Sequence, residues 1–179
     1  MTEIVIDTGV IIGFGWPLEK LHPYCCKFFD KFPLVGNSFY YPKKVKEELK
    51  YKRDEFSKKN SGFEAELRRL TQFINLFLEN SKKLDYDNSE HNFNSILFNV
   101  QEIMKKYLQK PATKVSFDAN HIANYVCFCL DKEKEKNNDH FFITGDIRMY
   151  DIRRDFWKIA CKALGGEIYF CMKSIWNFD

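Results

Sequence analysis

The stretch "IVIDTGVIIGFG" (Ile4–Gly15) sets a single carboxylate, Asp7, between two apolar runs. The residues before it, Glu3–Ile6, read as a short buried strand rich in β-branched side chains. Those after it begin with a turn and enter a short helix that Gly13, Gly15 and Pro17 interrupt. A charge at the tip of a buried strand is costly unless something at the same spot requires it. What requires Asp7 has to be sought in the rest of the chain.

The 179 residues suit one domain with a substantial core, so residues 1–179 are expected to fold as a single unit. Hydrophobic content of 45% with 18 phenylalanines points to a packed globule and away from disorder. No apolar run reaches the roughly 20 residues of a membrane span. "MTEIVID" also lacks the basic segment and apolar core of a secretion signal, so the expected location is the cytoplasm. The six cysteines form no CxxC pair; they read as reduced, mostly buried thiols rather than a zinc knuckle. Net charge is only +3, but "KKVKEELKYKRDEFSKK" (43–59) carries eight basic and four acidic residues. With Tyr51 and Phe56 among them, Lys43, Lys44, Lys50, Lys52 and Arg53 suit a phosphate-facing helix, and equally an ordinary solvated one.

Residues 22–31 fit another short helix, and "NSFYYP" (37–42) is a strand ended by Pro42. From Lys43 to about Phe56, Val45, Leu49, Lys52 and Phe56 share one helical face. Glu48 sits roughly 60° from that stripe, at its border, where a side chain can point into a crevice beside the core. Two periodic helices follow, one marked by Phe63, Leu67, Leu70, Ile74 and Phe77, the other by Phe93, Leu97, Val100, Met104 and Tyr107. With polar "NSKKLDYDNSEH" (80–91) between them, they predict a helical hairpin inserted at about 62–108. Ser116 is a good N-cap for a helix over Phe117–Leu130, with "DKEKEKNNDH" (131–140) as its solvated end. Then come a buried strand "FFIT" (141–144), a helix over Ile147–Leu164, a Gly165–Gly166 turn and a final strand "EIYFC" (167–171). Short apolar strands alternating with helices predict an α/β fold. The expected form is a three-layer α/β/α sandwich around a parallel sheet of four to five strands, plus the inserted hairpin.

In open α/β sheets, ligands bind beyond the carboxyl ends of the strands. Asp7 follows "IVI", and Asp146 follows "FFIT" after Thr144 and Gly145. Asp118 falls in the first turn of its expected helix, where the dipole favours an anion. Glu48 lies on the helix after the second strand. Singly, Asp118 reads as a helix-start acid, Asp146 as a turn residue and Glu48 as a solvated helix charge. Together at one sheet edge they would repel one another and raise one another's pKa. A divalent cation relieves this: Mg²⁺ or Mn²⁺ prefers carboxylate and water oxygens and leaves positions open for a substrate phosphate. One or two such ions can activate water and steady the leaving oxygen of a phosphodiester. His121 shares a helix face with Asp118 and Tyr125, and is expected to pack or hydrogen-bond beside the site. Glu47 is expected further from the crevice than Glu48.

Four segments, in order, resemble the motifs of PIN-domain nucleases. "IVIDTGVI" resembles that family's first strand, ending in Asp before Thr or Ser. "YYPKKVKEELK" resembles its strand–Pro–helix segment, with Pro42, Val45 and the Glu48–Leu49 pair at family spacing. "SFDANHIANYV" resembles the helix opening Asp-Ala-x-x-Ile-Ala, and "FFITGDIRMYD" the strand ending Thr-x-Asp. The resemblance implies that Asp7, Glu48, Asp118 and Asp146 bind Mg²⁺ or Mn²⁺ and hydrolyse RNA, in single-stranded or loop regions, with metal-activated water. It implies supporting roles for Thr8 and Thr144, and leaves Asp151 open as either a fifth acid or a residue on the outer face of its helix. Gly9 departs from the family, which more often has a polar residue there, and the 62–108 segment makes the chain longer than compact toxin members. That segment is the expected surface for a homodimer or a protein partner.

Two other functions compete. "GDIRMYD" (145–151) resembles the last acidic motif of haloacid-dehalogenase-like phosphatases, and "IVIDTG" partly resembles their first, but the second Asp that motif needs is replaced by Gly9. A non-catalytic RNA- or protein-binding scaffold of the same fold is the other, and the presence of all four acids weighs against it.

Overall fold

The structure, a computed structural model, describes residues 2–59, 62–87, 91–109 and 112–178. In chain order it contains β1 (Glu3–Ile6), α1 (Thr8–Gly15), α2 (His22–Lys31), β2 (Ser38–Pro42), α3 (Val45–Lys59), α4 (Glu64–Glu79) and β3 (Lys82–Leu84). There follow α5 (Phe93–Leu108), α6 (Ala112–Lys134), β4 (His140–Thr144), α7 (Ile147–Asp151), α8 (Arg153–Leu164), β5 (Met172–Ser174) and a 3-10 turn at Ile175–Asn177. Among the described residues every strand pairing is parallel, in the order β3-β2-β1-β4-β5.

The centre of this α/β fold is β1, whose side chains are buried on both faces. Ile4 and Ile6 face one layer and Val5 the other, all with no exposure. That is why the run reads as continuously apolar instead of alternating. The first layer consists of α1 to α4, packed on Phe39, Phe141 and Ile143 as well as Ile4 and Ile6. In it α1 and α4 approach closely because Gly15 has no side chain: a Cβ there would lie 2.7 Å from Leu70 Cδ1 and 3.3 Å from Leu70 Cα. The second layer consists of α5, α6 and α8 on Val5 and Phe142. From β1 the chain winds outward through β2 to β3, then returns across the sheet to β4 and β5. The winding therefore reverses between β1 and β4. At such a reversal the connections diverge and leave a crevice at the carboxyl ends of the strands.

Four expectations about elements are corrected. The helices expected to form a hairpin over 62–108 lie on opposite faces of the sheet, α4 against α1 and α3, α5 against α6 and α8. Between them "KKL" adds to β2 as an edge strand, with Tyr40 opposite Lys82 and Pro42 opposite Leu84. Only Leu84 of the three is buried, so this strand carries no alternation to betray it. The hairpin surface to which a dimer or partner role attached is thus not formed; α5 by itself exposes Phe98 and Tyr107. Second, α6 starts at Ala112, so Ser116 is an exposed residue inside it and Asp118 lies in its second turn. The apolar stripe of Ala119, Ile122 and Val126 extends back to buried Val115 and carries the helix past the expected cap. Third, the helix expected over Ile147–Leu164 is broken at buried Ile152 into α7 and α8.

Fourth, the last strand is Met172–Ser174 and not 167–171. The Tyr125 hydroxyl donates to the Cys171 carbonyl at 2.6 Å and accepts from its N–H at 3.3 Å, tying this stretch to α6 before the ladder begins.

The position of α4 carries a testable consequence. Phe77 is fully buried against Phe39, Tyr41 and Phe73. Phe77→Ala should lower stability by about 3–5 kcal/mol in urea unfolding; a cost below about 1 kcal/mol would mean that α4 does not cover the sheet. Among the described residues, no helix is long and apolar enough to cross a membrane.

Candidate metal centre

Asp7 emerges where β1 ends. Its N–H donates to the Ile143 carbonyl at 3.1 Å, and its own carbonyl accepts from Val10 N–H, starting α1. The side chain could have capped that helix and does not. It turns instead toward β4 and α6, where Thr144 Oγ1 donates to Oδ2 at 2.9 Å and His121 Nδ1 donates to Oδ1 at 3.2 Å. Asp7 is only 6% exposed, and the positive end of α1 favours its charge.

The other acids arrive from three further elements. From α3, Glu48 accepts a hydrogen bond from Thr8 Oγ1 at 2.7 Å, and its side chain lies at the margin of the core, 15% exposed. From α6, Asp118 stands one turn before His121; with Asp7 these two offer ligand atoms all within 4.8 Å of one another. After β4, Asp146 caps α7, its Oδ1 accepting from the N–H groups of Arg148 at 2.9 Å and Met149 at 3.3 Å. Thr144 couples the two strand ends, since its hydroxyl donates to Asp7 and accepts from Asp146 N–H at 3.0 Å. Asp7, Glu48, Asp118 and Asp146 line one open cavity of ≈ 640 Å³ at the reversal point of the sheet.

His121 has no exposure and sits between two of these acids, with Nδ1 on Asp7 and Nε2 3.6 Å from Glu48 Oε2. Burial alone would lower its pKa; Asp7 first, then Glu48 and Asp118, outweigh burial and raise it above 6.5. Burial pushes the Asp118 carboxyl from 3.8 to about 7, with Asp7, Glu48 and Asp146 pushing the same way and His121 against them. Glu48 is raised as well, by burial and then by Asp7, against the pull of His121 and Thr8. Burial and the neighbouring acids thus both favour the neutral form of Asp118 and Glu48, against the pull of His121.

A divalent cation fits this donor set. Carboxylate oxygens dominate it, which suits Mg²⁺ or Mn²⁺. His121 Nε2, buried without a hydrogen-bond partner among the described residues, faces Glu48 and not solvent. With Nδ1 engaged by Asp7, the imidazole orients carboxylates more readily than it binds metal.

Two residues of the cavity had no place in the sequence reading. Arg148 reaches over the rim, its Nη2 3.6 Å from Asp146 Oδ2, and its spacing two residues after Asp146 was the available signal. Trp176 comes from the chain's last turn and donates Nε1–H to the Gly145 carbonyl at 3.1 Å; nothing local in the sequence marks it. Gly145 is confined, because a Cβ there would lie 2.6 Å from Leu21 Cδ1. At Gly9 a Cβ would meet only Asp7 Oδ2 at 3.6 Å, so the absent polar residue is not excluded sterically.

Other expected residues lie elsewhere. Asp151 is at the exposed end of α7, beside Arg153 and Arg154 in a different groove, and does not line the acidic cavity. Glu47 is exposed and paired with Lys44. Ahead of the basic helix Lys43 pairs with Asp85 and Asp87, and on it Lys52 pairs with Glu55, Arg53 with Asp54 and Lys59 with Glu55. Lys50 lines a groove between α3 and α4. Much of that helix's positive charge is neutralised locally.

No family model matches the sequence, and no curated protein matches it. Its fold is similar to that of a chain in the crystal structure of VapBC2 from Rickettsia felis bound to a DNA fragment from their promoter. The TM-score is 0.53, over 96% of this chain and 98% of that one. At 9% identity the likeness is one of fold.

Proposed function

We propose that the protein is a metal-dependent endoribonuclease of PIN-like type. Asp7, Glu48, Asp118 and Asp146 would hold one or two Mg²⁺ or Mn²⁺ ions and act on phosphodiester bonds of single-stranded or loop RNA. One observation carries this reading: carboxylates from four separate elements share one cavity at the reversal of a parallel sheet. The fold likeness is consistent with it.

When bound, a divalent cation there neutralises phosphate charge and makes water an effective nucleophile near neutral pH. The chain's own residues provide the setting. Thr144 and His121 hold the two oxygens of Asp7, and Thr8 holds Glu48, so the first acids are oriented before substrate arrives. The α7 N–H groups fix Asp146. Arg148 offers a cation at the rim for a phosphate oxygen. Asp118 gives up its proton as positive charge enters the cavity.

Incubation with structured and unstructured RNA in Mn²⁺ tests the proposal. Cleavage should favour the unstructured substrate, stop with EDTA and return with excess Mn²⁺. Cleavage indifferent to EDTA, or none in either metal, would refute it.

A further inference from the structure

A second cavity, of ≈ 290 Å³, opens at the edge of the sheet beside β5, lined in part by Lys27, Lys31, Tyr150, Lys173, Ser174 and Asn177. Its character is opposite to that of the acidic cavity: among the described residues three lysines and no carboxylate contribute to its wall. Among the described residues none of these lysines has a carboxylate partner. Two are held by aromatic rings instead, Lys31 Nζ 5.9 Å from the centre of Phe178 and Lys173 Nζ 3.9 Å from that of Phe141. A ring steadies an ammonium without cancelling its charge.

Ser174 adds an independent sign. It is 1% exposed, and its hydroxyl is buried with no hydrogen-bond partner among the described residues. A buried hydroxyl in that condition costs on the order of 1–3 kcal/mol, and Ser174 belongs to the wall of this cavity. The location matters equally. Ser174 is the register partner of Thr144, the residue that holds Asp7, so the two cavities open at the same end of adjacent strands. The last turn links them: Trp176 lines the acidic cavity and Asn177 the basic one.

We infer that the basic pocket binds a backbone phosphate of a single RNA strand whose neighbouring phosphodiester lies over the four acids. The inference rests on the nuclease reading for its substrate and adds the surface that positions it. A polyanion approaching a cluster of carboxylates needs compensating charge close by, and on α3 Lys52, Arg53 and Lys59 are already paired with carboxylates.

The test is fluorescence anisotropy with a labelled, unstructured oligoribonucleotide of about 12 nucleotides in EDTA, where no cleavage occurs. Wild type is compared with Lys27→Gln/Lys31→Gln/Lys173→Gln and with the equally charged control Lys50→Gln/Lys52→Gln/Arg53→Gln. The pocket variant should bind at least about tenfold more weakly, and its log–log salt slope should fall by about 0.7, the value for one lost phosphate contact on a single strand. The α3 control should change affinity by less than about threefold. Equal losses in both variants, or no loss in the pocket variant with its thermal midpoint unchanged, would overturn the inference. Since binding is read without metal, the nuclease proposal fails separately: by absence of Mn²⁺-dependent cleavage while pocket-dependent binding persists.

Discussion

Asp7→Asn is expected to reduce Mn²⁺-dependent RNA cleavage by about 10³-fold or more, roughly 4 kcal/mol of transition-state stabilisation. The substitution is isosteric, and Asn can still accept from Thr144, so the fold should survive as judged by circular dichroism. What it removes is the charge at the point where β1 and β4 deliver their chemistry. Thr144→Val tests the orientation of that charge separately from its presence. Losing a hydrogen bond that aims a metal-binding carboxylate typically costs about 10–100-fold, so this variant should be intermediate. Equal cleavage by wild type and Asp7→Asn would place the activity at another site or in a contaminant.

The second large effect runs in the opposite direction. Without metal, Asp118→Asn should stabilise the protein at pH 8. The folded state holds the Asp118 proton up to about pH 7, against an ordinary value of 3.8. A carboxyl raised in this way contributes stability that is complete below the unfolded value and is lost as pH rises through the folded one. Three pKa units correspond to roughly 4 kcal/mol; shared protons and partial solvent access reduce the expectation to about 2 kcal/mol, or about 5 °C in thermal midpoint. The advantage of Asn over Asp should therefore be near zero at pH 4 and grow through pH 7. Comparing the two proteins at each pH cancels groups common to both, such as His140, whose pKa burial lowers. With Mn²⁺ at about a hundred times its dissociation constant, wild type alone gains about 2.7 kcal/mol, so the ranking should invert. An advantage independent of pH would mean that neither burial nor the neighbouring acids raise the Asp118 carboxyl.

These opposed effects follow from one arrangement, much of which could be read from the chain. The strands that carry Asp7 and Asp146 are short, largely apolar and followed within two residues by their acids, so local sequence defines them. Glu48 could be placed at the margin of the α3 stripe by helical geometry alone. One of the reasons that pointed to Asp118 does not hold: it lies in the second turn of α6, and its pKa is raised by burial and then by the neighbouring acids, where a first-turn dipole would have lowered it. The edges of the sheet were the illegible part. "KKL" pairs through its backbone with one buried side chain, and the position of β5 depends on a tyrosine 46 residues away in sequence. His121 is legible as a helix-face neighbour of Asp118, but its place between Asp7 and Glu48 arises only when β1, α3 and α6 meet. Arg148 and Trp176 enter the cavity through the same kind of tertiary approach.

Anomalous diffraction from crystals soaked in Mn²⁺ tests the central claim most directly. The account predicts a manganese peak about 2 Å from carboxylate oxygens of both Asp7 and Asp118, with Glu48 and Asp146 around it. Saturating Mn²⁺ without a peak in this cavity, or Asp7 and Asp118 too far apart to share an ion, would contradict it.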